Sequence, residues 1–386
     1  MNDDGNDALS GDADFREAFG EELVNTLNLE TWDTGLDLER AMGILQQEVS
    51  TAVNREGHVR ALLRAEFLPR LKTRPGAPSD GGVYQAFPAE LADLHEALLF
   101  PGRVEAVNGT SVSHDSLPLG ITQIGVAVVS YGGTSGHFSQ RFYRKEMSAN
   151  NGSAIEQVKD FIDMRQNRSE AGRRDNLSKL ARRGIKTYAE RAILVDKAQA
   201  EWRIGHGHPC AYELLSGSGY ASLLDASLHM LWRLIKVQKK FVFVNSTLED
   251  RGFLTLGYAL DAGEYAILDT LEPHGTRVIN GWRYGDRNRD KALDFVQKCC
   301  PDVLMGLYRV SNRSPPRMFY AHREHVHIAA RLAMADSILR PERGYPMLLD
   351  VADVSCRGAF GAEGFLGLVQ DAYARAGASL QFFNDL

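Results

Sequence analysis

The sequence reads Val104-Glu105-Ala106-Val107-Asn108-Gly109-Thr110 at the end of one apolar run and Tyr212-Glu213-Leu214-Leu215-Ser216-Gly217-Ser218-Gly219 at the end of another. Each run is typical of a β-strand that closes in a turn of small residues. The polar residues of the two turns are Asn108 and Ser216, and neither carries a charge. We therefore expect two neutral side chains at strand ends.

The residues around these two turns predict a regular order of helices and strands. Apolar residues at helical spacing predict helices through residues 15–100, with an interruption by the Pro- and Gly-rich residues 73–82. Extended segments are then predicted at residues 103–112, 119–131 and 138–147. The following segments are a helical region at 153–203, a strand at 210–216, a helix at 220–238 and a strand at 240–246. The rest is predicted as extended at 253–271, helical at 289–300, extended at 303–310 and 318–330, and helical at 345–356 and 361–376.

This order predicts an α/β protein with a mixed sheet flanked by helices. Residues 1–100 form an N-terminal helical extension in this interpretation, and residues 101–386 form the α/β domain. We interpret the Pro- and Gly-rich residues 73–82 as a loop within the extension rather than as a domain boundary.

Composition defines the class of protein. The 386 residues are 44% hydrophobic and 24% charged, as in an ordinary globular chain. The acidic first residues lack the basic and apolar segments of a signal peptide, and no run of about 18 apolar residues could cross a membrane. The four cysteines include the adjacent Cys299 and Cys300 and form no C-x-x-C pair, which indicates buried or free thiols. These features predict a cytoplasmic protein without membrane contact.

A basic segment stands out in a chain whose net charge is −6. Its cationic residues are Arg165, Arg168, Arg173, Arg174, Lys179, Arg182, Arg183, Lys186 and Arg191. Such a segment is either a solvated helix face, a contact for an acidic partner, or a surface that binds phosphates. The residues selected as candidates for nucleic-acid binding are Arg173, Arg174, Arg182, Arg183 and Lys186.

Three motifs in this order resemble those of the NurA family, nucleases that act with the hexameric HerA ATPase in processing DNA ends. Residues 106–110 (Ala-Val-Asn-Gly-Thr) are similar to the family's Ala-Val-Asp-Gly-Ser, and residues 214–217 (Leu-Leu-Ser-Gly) are similar to its second Asp-Gly. Residues 343–353 (Arg-Gly-Tyr-Pro-Met-Leu-Leu-Asp-Val-Ala-Asp) are similar to its C-terminal Gly-Tyr-Pro with a downstream His or Asp. The resemblance covers about residues 100–360 and implies an RNase H-like fold.

The resemblance also implies a catalytic site with Mn²⁺ or Mg²⁺ as cofactor. Its motif positions are Asn108, Ser216 and Asp353, and the further metal ligand is one of Glu190, Asp196 or Glu201. Two neighbouring cations are held against their mutual repulsion by several carboxylates. Because two motif positions are neutral here, the metal site is expected to be degenerate. The family's lysine position falls near Asn245.

The remaining candidate motifs have plainer structural explanations. The alternation of a strand would place His325 and His327 on one face, and His206 and His208 form a similar pair, but histidine pairs on strands are more often structural than ligands. The turn at residues 216–219 lacks the Gly-x-Ser-x-Gly pattern of a nucleophile. No Walker A motif is present, so the chain is not itself a nucleotide-driven motor.

Two functional classes follow. In the first, the chain is a NurA-like DNA nuclease that works with a HerA-like hexameric ATPase in DNA repair or anti-phage defence. In the second, it is a catalytically inactive subunit that binds DNA and the ring as an adaptor. The resemblance implies a homodimer in both classes, and the apolar positions Leu38, Met42, Leu45 and Val49 offer a helical face for a partner.

Overall fold

The structure is a computed structural model. It describes residues 12–32, 38–115, 119–133, 136–146, 168–248 and 250–379, without the side chains of residues 54, 145, 146, 168–178 and 286. The chain divides into two compact units between Leu62 and Leu63. The helical extension was predicted to end at residue 100, whereas residues 63–100 belong to the second unit in this division.

The described residues of the first unit, 12–32 and 38–62, are mainly helical. The α-helices are α1 (Asp12–Phe19), α2 (Leu23–Leu27) and α3 (Leu38–Leu62). The apolar positions of α3 recur every three or four residues and so share one face of the helix. Leu38, Met42, Leu45 and Val49 are each more than half exposed, from 51% at Val49 to 70% at Leu38.

The second unit is built on a mixed sheet. Its strands in the described chain are β1 (Gly82–Gln85), β2 (Val104–Asp115), β3 (Leu119–Val129), β4 (Gly136–Glu146), β5 (Trp202–His206), β6 (Phe241–Val244), β7 (Glu264–Thr270), β8 (Val303–Arg309) and β9 (Arg317–His322). Their order across the sheet is β1-β7-β8-β9-β6-β5-β2-β3-β4. Strands β2, β3 and β4 form an antiparallel meander, whereas β5 runs parallel to β2 and β6 runs parallel to β5.

Helices cover both faces of this sheet. They are α4 (Arg70–Thr73), α5 (Pro88–Leu94), α6 (Arg168–Asp196), α7 (Tyr212–Leu215), α8 (Ala221–Trp232), α9 (Arg251–Tyr258), α10 (Glu272–Gly281), α11 (Asp286–Cys299), α12 (Val326–Ser337), α13 (Met347–Phe360) and α14 (Ala362–Arg375). The mixed sheet flanked by helices, predicted from the element order, is therefore confirmed. Within the described ranges, no helix combines the length and the apolar character that crossing a bilayer requires.

Each face of the sheet has its own hydrophobic core. Val107 of β2 and Val126 of β3 point to the face that packs against Leu194 of α6. Ala106 and its neighbours of the same parity point to the opposite face, where α12 and α13 pack. The core on the second face depends on a close approach at Gly125 of β3, because an added Cβ there would lie 2.3 Å from the Phe360 ring.

Four of the predicted elements were wrong. Residues 82–85 were expected in the helical N-terminal extension, but they form strand β1, which pairs with β7 at the edge of the sheet. Residues 210–216 were expected to form a strand, but they contain the short helix α7, and the strand of this region is β5, which ends earlier at His206. The predicted extended segment 253–271 begins as helix α9, because the Asp250 side chain accepts a hydrogen bond from the Phe253 amide and caps the helix. The extended segment predicted at 318–330 ends with β9 and continues as α12.

Candidate functional site

The candidate site lies beside β2, at the point where the neighbouring strand β5 ends. The last pair of the parallel β2–β5 ladder is Val107 with Gly205, and β5 ends one residue later at His206. Strand β2 continues to Asp115, with β3 as its partner in the described chain. Because in-register residues of parallel strands point to the same face, Asn108 and His206 lie side by side at this opening.

Asn108 is held by a hydrogen bond across to helix α13. Its Nδ2 atom donates to Oδ1 of Asp353 over 2.8 Å, and its Oδ1 atom accepts from the Gly109 amide, also over 2.8 Å. The second carboxylate oxygen of Asp353 forms an ion pair with Arg357, one turn further along α13. The oxygens of both motif residues are therefore engaged within the chain.

Glu190 of α6 reaches the same strand from the other face. An added Cβ at Gly109 would lie 2.7 Å from Oε1 of Glu190, so the carboxylate rests directly on the strand backbone. Glu190 is only 4% exposed. Its Oε2 atom pairs with Arg191 at 2.8 Å, and its Oε1 atom lies 3.6 Å from Nζ of Lys186. A buried carboxylate is thus neutralised by two cations of its own helix.

Charged groups on both faces of the sheet affect the pKa of His206. Its Nε2 atom lies 3.2 Å from the Ser246 hydroxyl. Burial lowers the pKa of His206, while the charges of Glu190 and Asp353 act to raise it. Burial also lowers the pKa of Arg191, against the opposing effect of Glu190. His206 is therefore neutral near pH 7 and adds no charge to the site.

These groups form one cluster, here called the Asn108 cluster. Its members are Asn108, Lys186, Glu190, Arg191, His206, Asp353 and Arg357. The cations outnumber the carboxylates by one, since Lys186, Arg191 and Arg357 face Glu190 and Asp353. A pair of divalent cations requires an excess of negative charge, and this cluster has a positive one.

The donor set does not fit the Mn²⁺ or Mg²⁺ cofactor that the resemblance implies. Each carboxylate already binds a guanidinium group, and the Asn108 amide turns its Nδ2 atom, which cannot ligate, towards Asp353. In the part of the chain that the structure describes, no three His, Cys, Asp or Glu side chains are arranged to hold a metal ion.

Ser216 lies at the end of helix α7 and not at the end of a strand. Ser216 follows α7 and caps a tight turn, in which its hydroxyl accepts a hydrogen bond from the Ser218 amide at 3.2 Å. This turn packs against α6 at Gly184, where an added Cβ would lie 2.1 Å from the Ser218 hydroxyl oxygen. Gly184 precedes Glu190 by six residues, about 9 Å along the helix. The residue that ends a strand next to Asn108 is instead His206, at the end of β5.

Glu201 and Asp196 also lie outside the cluster. Glu201 precedes β5 and forms ion pairs with Arg103 and Lys240, and the hydrogen bond from Lys240 lowers its pKa. It lies five residues before His206, roughly 17 Å along an extended strand. Asp196 ends α6 and pairs with Arg233 at 2.6 Å. Of the three alternatives for the further carboxylate, Glu190 is the one beside Asn108.

The described part of the basic segment runs along α6 towards the cluster. Arg182, Lys186 and Glu190 are spaced by four residues and share one face of the helix. Arg182 is exposed and donates from Nη1 to the Ser113 hydroxyl of β2 over 2.7 Å, and Arg183 pairs with Glu213 at 3.2 Å. The side chains of Arg173 and Arg174 lie outside the described residues.

His325 and His327 do not form the predicted strand pair, although the ring centroids of His322 and His325 lie 6.3 Å apart. His322 ends β9 and accepts from the Glu324 amide, His325 packs near the Trp202 ring, and His327 lies in α12. The pairing predicted from strand alternation fails because the strand ends at His322.

Similarity to known proteins is found among solved structures. No family model matches this sequence, and no curated protein matches it. The chain is similar to the crystal structure of the NurA nuclease from Sulfolobus solfataricus, with 9% identity, coverage of 88% of this chain and 98% of that chain, and a TM-score of 0.45. It is also similar to a crystal structure of NurA with manganese, with 9% identity, coverage of 83% and 96%, and a TM-score of 0.43.

Proposed function

We propose that this chain is a NurA-like subunit that binds the DNA backbone without cutting it. The observation that carries the proposal is the Asn108 cluster, in which three cations face two carboxylates and the strand residue is an amide. A site with excess positive charge attracts a phosphate, whereas it repels the divalent cations that phosphodiester cleavage of this type requires.

The basic face of α6 supports the same function. Arg182 is exposed, and Lys186 continues its row towards Glu190. Contacts of this kind neutralise phosphates irrespective of base sequence, so binding is expected to weaken steeply with salt. The partner in this proposal is a HerA-like hexameric ATPase, in DNA repair or anti-phage defence. That assignment is supported by the order of the three NurA-like motifs along the chain.

A second candidate is an active Mn²⁺- or Mg²⁺-dependent DNA nuclease. It is favoured by the meeting of Asn108, Glu190, His206 and Asp353 at one opening of the sheet. This function would require Arg357 and Arg191 to leave the carboxylates when metal binds. The two candidates therefore differ in metal affinity as well as in cleavage.

Metal binding and cleavage distinguish the candidates. Wild-type protein with Mn²⁺ should leave linear single- and double-stranded DNA intact, and calorimetry should detect no Mn²⁺ binding at the cluster. The double substitution Asn108→Asp with His206→Asp adds two carboxylates and should create measurable Mn²⁺ affinity. Ser216→Asp is the matched control, since it adds a charge outside the cluster and should have no such effect. Strong Mn²⁺-dependent digestion by the wild type, lost in Asp353→Ala, would establish the nuclease instead.

The DNA contact is tested through salt dependence. Arg182→Ala should lower the affinity for duplex DNA and reduce the slope of log K against log salt by about 0.9, the contribution of one phosphate contact. Arg289→Ala is the control, because Arg289 is also exposed but lies on α11. Equal slopes for the wild type and Arg182→Ala would contradict a role for Arg182 in phosphate binding.

A further inference from the structure

A row of polar side chains leads from α6 across the meander. Ser113 of β2 is in register with Thr122 of β3, and Thr122 is in register with Tyr143 of β4. Directly opposed residues of antiparallel strands point to the same face, so these three side chains share the face on which α6 lies. The hydroxyls of Ser113 and Thr122 are 2.8 Å apart, and Arg182 donates to Ser113.

The row ends at an arginine and an aromatic ring on β4. Arg141 and Tyr143 are two residues apart and therefore lie on the same face of the strand. The guanidinium carbon of Arg141 lies 5.5 Å from the centroid of the Tyr143 ring. Arg141 is exposed and Tyr143 is partly exposed. Strand β4 is the last strand of the described sheet, so this pair stands at its edge.

These groups match the chemistry of a single nucleic-acid strand. Arginine neutralises phosphates, hydroxyls bind phosphate and sugar oxygens, and a tyrosine ring can stack on a base. In a duplex the faces of the bases are covered by their neighbours, so a stacking ring selects an unpaired strand. The strands β2 and β4 are about 10 Å apart, which is a suitable span for adjacent phosphate and base contacts.

We propose that this row, the hydroxyl track, seats single-stranded DNA beside the Asn108 cluster. The hydroxyl track consists of Arg182, Ser113, Thr122, Tyr143 and Arg141. The proposal rests on the proposed function for its assignment to DNA, and it adds the strandedness of the ligand and the side of the sheet on which it lies. Arg182 belongs to both surfaces and joins the track to the basic face of α6.

Strand β4 supplies its own control. Phe142 and Arg144 form a similar pair, with the guanidinium carbon 5.5 Å from the ring centroid. By strand alternation this pair points to the opposite face of the sheet. Phe142→Leu and Tyr143→Leu therefore remove one ring each from neighbouring positions of one strand, and only the second ring belongs to the hydroxyl track.

The test measures fluorescence anisotropy with labelled oligothymidine, oligouridine and a mixed-sequence duplex. Tyr143→Leu should weaken oligothymidine binding about 5- to 100-fold, as expected for loss of one stacked base, and should change duplex binding less than about 2-fold. Phe142→Leu should change neither, and Tyr143→Phe should bind oligothymidine like the wild type because it keeps the ring. Circular dichroism of each variant checks that it is folded.

Several outcomes would overturn the hydroxyl track. They are an equal loss in Phe142→Leu and Tyr143→Leu, an equal loss for duplex and single strand, unchanged binding by Tyr143→Leu, and tighter binding of oligouridine than of oligothymidine. If Tyr143→Leu leaves DNA binding unchanged while Arg182→Ala reduces the salt slope, the track is wrong and the proposed function stands. If the wild type binds no DNA at all, both proposals fail.

Discussion

At the scale of single residues, Gly109 makes room for a buried carboxylate. Glu190 rests on the strand at this position, with Oε1 2.7 Å and Cγ 2.8 Å from where a Cβ would be. The carboxylate cannot move away without leaving Arg191 and Lys186, which neutralise it. A glycine in the middle of a long strand is therefore explained by the helix that packs on it.

Gly109→Ala should destabilise the protein by about 1–3 kcal/mol, because the added methyl group displaces a buried and paired charge. The measurement is the free energy of unfolding in urea. Gly358→Ala on α13 is the control, since an added Cβ there meets nothing within 4 Å. In an exposed helical position this change should stabilise by up to about 1 kcal/mol. Similar effects of the two substitutions would contradict the role assigned to Gly109.

His208 should make the stability depend on pH. Its ring is buried and stacks on His274, with centroids 4.1 Å apart. Burial lowers its pKa well below the usual value, and the charges of His274 and Arg191 lower it further. Since the unfolded chain has a histidine pKa of about 6.5, the unfolded state takes up the proton first as the pH falls. The free energy of unfolding should therefore decrease below about pH 6.5.

Urea unfolding at pH 7.5, 6 and 5 tests this expectation against His208→Gln, which should lose less stability on acidification. Asp336 acts in the opposite direction, because burial raises its pKa to about 6 and the folded state gains stability as this carboxyl is protonated. That effect is present in both proteins and cancels in the comparison. Parallel stability curves for the two proteins would show that His208 does not titrate as proposed.

At the scale of secondary structure, the sequence predicted the meander well. Strands β2, β3 and β4 lie close to the predicted segments because each is long and bounded by Gly, Ser or Asp. Short apolar runs were assigned wrongly, since four to eight such residues fit a strand or a buried helix equally well. Residues 210–216 are the clearest case. Because they were predicted as a strand, Ser216 was taken as a strand end, whereas the strand of this region ends at His206.

The sequence around His206 carries the signal of a strand end. The apolar Trp202 and Ile204 alternate with polar neighbours, and the strand is followed by Gly207, whose φ of 78° requires the left-handed region that favours glycine. The pairing of Asn108 with Asp353 could not be found in this way. It depends on how α13 docks on the sheet some 245 residues away in sequence, which no local pattern records.

At the scale of the whole second unit, the two faces of the sheet carry different charged groups. One face carries α6, with Glu190 and its two cations, and the hydroxyl track beyond it. The other face carries α13, with Asp353 and Arg357. The opening beside β2 is where side chains from both faces meet, so a strand of DNA on the track would lead towards the Asn108 cluster.

The whole protein is proposed to act as a homodimer on a HerA-like ring, with α3 of the first unit as the contact. Leu38, Met42, Leu45 and Val49 form an exposed apolar stripe on this helix, and burying such a stripe against a second copy would remove it from water. Light scattering at micromolar concentration should therefore give twice the monomer mass of 42.8 kDa. Met42→Glu with Leu45→Glu should give a monomer, whereas Leu368→Glu on α14, also an exposed leucine, should leave the dimer intact. Adding a HerA-like hexameric ATPase should yield a larger complex with the wild type. A monomeric wild type that forms no complex with the ATPase would contradict both parts of this assembly.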